Sequence, residues 1–145
     1  MLRRTMMLVE DNLLDVKAVK RAIHQTQLNC SVVHCTTGDE AWKYLRAAQG
    51  HGEERAEIWP DVILLDLNLP GLTGTELLQQ IKEDQELCLI PVIVFSSSSN
   101  EVDITRSFNA GANSYITKPL IYKDLMRTIK HLSDFWFDTA RLPVH

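Results

Sequence analysis

Short apolar runs alternate along the chain with longer stretches in which apolar residues recur every three to four positions. That is the signature of buried strands separated by amphipathic helices. Thr5 to Val9 reads as a buried strand, and Leu13 to Gln27 as a helix with Val16, Val19, Lys20 and Ile23 on or beside its inner stripe. Cys30 to Cys35 gives a second strand, and Gly38 to Ala48 a helix through Ala41, Tyr44 and Leu45. Gln49 to Trp59 is polar, holds Gly50 and Gly52, and predicts a long surface loop. Asp61 to Asp66 is the clearest strand, because Val62-Ile63-Leu64-Leu65 is apolar on both faces, as a central parallel strand covered by helices must be. A Pro70-Gly71 turn, a helix from Gly74 to Asp84, a strand from Val92 to Phe95 and a helix from Glu101 to Ala110 follow. A strand from Ser114 to Thr117 and a last helix over Ile121 to Phe137 complete the pattern. Strands and helices in this alternation predict an α/β fold, a doubly wound five-stranded parallel sheet with right-handed crossovers and helices on both faces.

The 145 residues suit one domain, and 45% apolar content is enough to build a core. The net charge of −4 lacks the positive field that binds phosphate backbones, so nucleic acid is not an expected partner. No apolar run approaches the ~20 residues of a membrane span. Arg3-Arg4 precedes only Met6 to Val9 before Glu10-Asp11 intervenes, too soon for a signal-peptide core, so a cytoplasmic location is expected. Cys30, Cys35 and Cys88 form no CxxC pair. The odd offset of five between Cys30 and Cys35 points them to opposite faces of a strand, so they are expected to stay reduced and unbridged.

In a doubly wound sheet the ligand site lies beyond the carboxyl ends of the strands. The residues there are Glu10 and Asp11 after the first strand, Asp66 after the third, Ser96 after the fourth and Lys118 after the fifth. Carboxylates about 5 Å apart repel by roughly 3 kcal/mol per pair at an effective dielectric near 20, so three acids require cations. Lys118 and a divalent ion would supply them. Oxygen ligands without His or Cys favour Mg²⁺, with Mn²⁺ as the alternative, and such a site suits a phosphoryl group. Helix N-terminal acids also favour the macrodipole, a role that Glu10 and Asp11 could combine with metal binding.

These residues resemble the receiver domains of two-component response regulators. The resemblance rests on Val9-Glu10-Asp11, the strand Asp61-Val62-Ile63-Leu64-Leu65-Asp66 followed by Leu69-Pro70-Gly71 and Gly74, the strand ending at Ser96, and Lys118-Pro119. It covers about Thr5 to Phe137, and divides the chain into a receiver domain over 1–138 and a C-terminal tail over 139–145. It implies a flavodoxin-like sheet of order 2-1-3-4-5. It also implies that Asp66 accepts a phosphoryl group from a sensor histidine kinase, with Mg²⁺ held by Glu10, Asp11, Asp66 and the carbonyl of Asn68. Lys118, Ser96 and Ser97 would bind the phosphoryl oxygens, and the Lys118-Pro119 bond would be cis. Ser96 and Tyr115 would form a switch pair reporting phosphorylation to the face made by the fourth helix, fifth strand and fifth helix. Asn68 and Ser98 would flank the path of the hydrolytic water. The serine run Ser96 to Ser99 and the close Phe135-Trp136-Phe137 before Arg141-Leu142-Pro143 resemble one branch, the small regulators paired with cyanobacterial phytochromes. That branch implies a phytochrome as the kinase.

Leu125, Ile129, Leu132 and Trp136 make an inward stripe on the last helix, which Phe135 and Phe137 cannot both share. One is expected in the core and the other exposed. With Leu142-Pro143-Val144 they suggest a homodimer interface, the alternative being a tail folded back over its own domain. Two other function classes bear on the same residues. A haloacid-dehalogenase-like phosphatase also uses a strand-end aspartyl nucleophile, but needs a second Asp two residues later, where this chain has Asn68. A phosphate-independent pseudo-receiver would have no need of Glu10, Asp11, Asp66 and Lys118 together. The five histidines, His24, His34, His51, His131 and His145, have no ligand spacing and receive no role.

Overall fold

The computed structural model describes residues 3–50 and 57–143. Its elements are β1 (Arg4–Val9), α1 (Leu13–Gln25), β2 (Cys30–Cys35), α2 (Gly38–Gln49), β3 (Val62–Leu65) and α3 (Gly74–Glu83). After a 3₁₀ turn at Leu87–Leu89 come β4 (Val92–Ser96), α4 (Glu101–Asn109), β5 (Ser114–Thr117) and α5 (Tyr122–Ser133), and then a π-helical turn at Asp134–Thr139. The strands form one parallel sheet of order β2-β1-β3-β4-β5. This is the doubly wound, flavodoxin-like arrangement that the pattern and the resemblance imply.

Alternation along the strands sends successive side chains to two separate cores. Met7, Val9, Ile63, Leu65, Val92 and Val94 pack with Leu45 of α2 and Leu77, Leu78 and Ile81 of α3. Met6, Leu8, Val62, Leu64, Ile93 and Phe95 pack with Val16, Val19 and Ile23 of α1 and Leu125, Ile129 and Leu132 of α5. Lys20 faces solvent, and Ala22 is the further buried residue of α1. Cys30 belongs to one core and Cys35 to the other, both as free thiols, which is the opposite-face placement their offset predicts. Burial pushes the Cys30 thiol up to about 11 and the Cys35 thiol up to about 12, so neither is a ready nucleophile.

Three local differences have physical causes. Helix α1 ends at Gln25 because Thr26 caps it and Gln27 takes a left-handed φ of 56°. The 3₁₀ turn at Leu87–Leu89 forms because Asp84 Oδ1 accepts both the Glu86 and Leu87 amides at 2.9 Å. The last helix loses its α pitch after Ser133: Ala140 N–H donates to Phe135 C=O at 2.6 Å and Thr139 Oγ1 to Asp134 C=O at 2.9 Å, both five residues back. In this wider turn Trp136 and Phe137 both lean on the α1–α5 core, while Phe135 remains 52% exposed. Leu142 and Pro143 share a small cleft with Trp59, Pro60, Ile90 and Pro91, so this part of the tail folds back over its own domain. Val144, His51 and His145 lie outside the described residues. No helix among the described residues is long and apolar enough to cross a membrane.

Candidate phosphoryl-acceptor and metal site

Backbone hydrogen bonds that continue the sheet past its strand ends hold the site's residues. Glu10 N–H donates to Cys35 C=O at 3.0 Å, Asp66 N–H to Val9 C=O at 3.0 Å and Lys118 N–H to Ser96 C=O at 2.7 Å. Glu10, Asp66 and Lys118 are thereby placed beyond the carboxyl ends of β1, β3 and β5, at the same edge of the sheet. Oxygens of Glu10, Asp11 and Asp66 come within 4.8 Å of one another, Asp11 exposed and the other two buried. This set of hard carboxylate oxygens fits a divalent cation of the Mg²⁺ or Mn²⁺ class.

Lys118 closes the cluster. Its Nζ lies 2.5 Å from Glu10 Oε1, 2.9 Å from Asp15 Oδ2 and 3.4 Å from Asp66 Oδ2. Burial would pull this ammonium down, but the hydrogen bonds to Glu10 and Asp15 and the charge of Asp66 outweigh it, and Lys118 is held protonated. Glu10, 1% exposed, is also shifted toward its protonated form. Burial and the neighbouring Asp66 push it from the ordinary 4.5 up to about 7, against the pull of Lys118. One ammonium does not satisfy three carboxylates in this pocket. No peptide bond among the described residues is cis, which corrects the expected cis Lys118-Pro119. Lys118 reaches Glu10 and Asp66 across a trans bond, the isomer X-Pro bonds favour by about 0.5–1 kcal/mol.

The loop after Asp66 is pinned from behind. Gly74 opens α3 with its N–H bonded to Leu67 C=O at 3.0 Å, and a Cβ on Gly74 would stand 2.2 Å from Asp66 O and 2.6 Å from Leu67 Cα. Only glycine lets α3 approach this backbone so closely. Thr73 and Glu76 add a reciprocal capping box at that helix start. Asn68 is exposed and its N–H points to Asp66 Oδ1 at 3.4 Å.

Ser96 is fully buried, and its hydroxyl accepts the Ser98 N–H at 3.2 Å. Ser97 beside it is exposed. The Tyr115 hydroxyl donates to Ser98 C=O at 2.8 Å, and Ser98 Oγ donates to Asp103 Oδ2 at 2.7 Å. Ser96 and Tyr115 thus meet through the backbone of Ser98. Phe135 and Phe137 lie elsewhere, at the end of α5, where Phe137 shares a cleft with Arg4 at the amino end of β1.

Two contacts went unread in the sequence. Asp15, in the first turn of α1, pairs with Lys118; an acid there reads first as a partner for the helix dipole. His34 Nε2 lies 2.7 Å from Glu10 C=O, the separation of a ring N–H donating to that carbonyl, although no ligand spacing marks the residue.

Residues 6–130 match the family model of the response regulator receiver domain. The chain belongs to this family. It is 35% identical over 137 residues to a probable methanogenesis regulatory protein, FilR2, of Methanothrix harundinacea, covering 94% of this chain and 86% of that one. It is 34% identical over 140 residues to the response regulator Rcp1 of Synechocystis, covering 97% and 93%. Among solved structures it is similar to the phosphorylated cyanobacterial phytochrome response regulator RcpA, with 41% identity, a TM-score of 0.87 and coverage of 99% of this chain and 100% of that one. The Mn²⁺-bound form of Rcp1 is similar at 32% identity and TM-score 0.82, covering 97% and 99%. The acidic cluster and the metal-bound relative together fit a receiver-type divalent metal site.

Proposed function

We propose that this receiver accepts a phosphoryl group on Asp66 from the phosphohistidine of a sensor kinase, a phytochrome, in a Mg²⁺-dependent step. The convergence of Glu10, Asp11, Asp66 and Lys118 beyond the strand ends carries this reading. An Asp66 carboxylate oxygen attacks phosphorus, the P–N bond to the donor imidazole breaks, and that nitrogen takes up a proton. Glu10, Asp11, Asp66 and the carbonyl of Asn68 would hold the cation, which supplies charge neutralisation to the loose phosphoryl-transfer transition state. Lys118, Ser96 and Ser97 bind phosphoryl oxygens, and hydrolysis of the acyl phosphate returns Asp66 without a second enzyme. The similarity to RcpA and Rcp1 supports the phytochrome as donor.

The output is a change at the face of α4, β5 and α5, begun where Ser96 and Tyr115 share Ser98. Phe135, half exposed beside that face, and the partly packed Phe137 serve a homodimer contact. The protein works in the cytoplasm, without nucleic acid or membrane as partner. A phosphatase with a second catalytic Asp is disfavoured by Asn68. Incubation with Mg²⁺ and a phosphorylated phytochrome kinase is expected to label wild type at Asp66 and leave the folded Asp66→Asn variant unlabelled, as located by mass spectrometry. Full labelling of that variant refutes the assignment.

A further inference from the structure

We propose that Asp15 is a positioning residue for Lys118, the acid that keeps the ammonium when a divalent cation takes Glu10 and Asp66. This inference rests on the receiver reading above. Three carboxylates surround Lys118 Nζ, at 2.5 Å for Glu10, 2.9 Å for Asp15 and 3.4 Å for Asp66. Glu10 and Asp66 belong to the acidic trio whose oxygens lie within 4.8 Å of one another, and Asp15 does not.

A cation in the trio competes with the lysine for the lone pairs of Glu10 and Asp66, and repels its charge. The Lys118 side chain is only 13% exposed, so leaving it without an anion would be expensive. Asp15 removes that penalty. It already accepts a hydrogen bond from Nζ, its own side chain is 38% exposed, and it stands outside the acidic trio. Its position is fixed by the turn it belongs to, for Asn12 Oδ1 accepts the Leu14 and Asp15 amides at 3.0 and 3.2 Å, and Asn12 N–H donates to Glu10 Oε2 at 3.2 Å. The short segment from Glu10 to Asp15 therefore carries both the metal-binding pair and the anion that shelters the displaced lysine.

An acid that merely favours the helix dipole would be indifferent to Lys118, so a double-mutant cycle separates the two roles. MgCl₂ is titrated calorimetrically at pH 8 into wild type, Asp15→Asn, Asp15→Glu, Lys118→Met and the Asp15→Asn/Lys118→Met pair. With Lys118 present, Asp15→Asn is expected to weaken Mg²⁺ binding about tenfold, the size of one charge-assisted hydrogen bond, and Asp15→Glu to recover most of it. In the Lys118→Met background the same change is expected to matter by no more than about threefold, as loss of a remote charge in water. Equal losses in both backgrounds, or no loss with Lys118 present, overturn the proposal. Acetyl phosphate and Mg²⁺ are given to wild type in the same series. If wild type takes up neither the cation nor a phosphoryl group, the receiver reading falls and this inference with it. If wild type takes up both and Asp15→Asn binds Mg²⁺ equally well, only the role of Asp15 is lost.

Discussion

The unbalanced charge at Glu10 should make the metal-free protein lose stability as pH rises through neutrality. Folding raises the carboxyl from 4.5 to about 7, so between those values the native state holds a proton that the unfolded chain has released. Stability from this group is fully present below pH 4.5 and is lost as pH climbs through about 7. The gap between 4.5 and about 7 corresponds to a loss of about 3 kcal/mol, a large part of a domain's net stability. Lys118 does not blur the window, because its protonation is held above the ordinary lysine range. Urea unfolding of the metal-free protein at pH 5, 6, 7 and 8 is the assay, with Glu10→Gln as the reference that keeps the neutral form at every pH. The difference in unfolding free energy between wild type and Glu10→Gln should fall across the series. Mg²⁺ at a hundred times its dissociation constant should restore about 2.7 kcal/mol at pH 8. A difference that stays flat or rises from pH 5 to pH 8 refutes the account of the pocket.

Two further outcomes follow from packing. Gly74→Ala places a methyl group against the backbone of Asp66 and Leu67, so it should destabilise by about 1–3 kcal/mol and slow phosphorylation, as read by urea unfolding and acetyl-phosphate labelling. Phe137→Ala should cost about 1–3 kcal/mol because the ring leans on the α1–α5 core, whereas Phe135→Ala should leave stability within about 1 kcal/mol of wild type and weaken self-association. Denaturation and sedimentation measure the two effects, and an unchanged sedimenting mass for both variants removes these rings from a dimer contact.

The sheet was legible because β3 is apolar on both faces and the flanking helices keep a clean stripe. Strand-end placement then gathered Glu10, Asp11, Asp66, Ser96 and Lys118 with no need of side-chain geometry. Asp15 escaped notice because its partner is 103 residues away, and an acid in a first turn already has a local explanation. His34 was hidden because it uses a backbone carbonyl, which carries no residue identity. The widened turn at Asp134–Thr139 was equally opaque: the periodicity that predicts a helix does not distinguish a four-residue from a five-residue step over so few positions. The docking of Leu142 and Pro143 depends on the shape of a cleft lined by Trp59 and Ile90, a long-range complementarity that local pattern does not encode.

Ser98 is grasped at three points, its amide by Ser96, its carbonyl by Tyr115 and its hydroxyl by Asp103. These contacts tie one residue to β4, β5 and α4 at once. Whatever draws the Ser96 oxygen elsewhere unfastens one grip and strains the other two, so strand, loop and helix should let go in concert. If Ser96 turns to a phosphoryl oxygen, as proposed, the loss would be felt in β5 and α4 together, and weakening any one fastening should ease the release of the others.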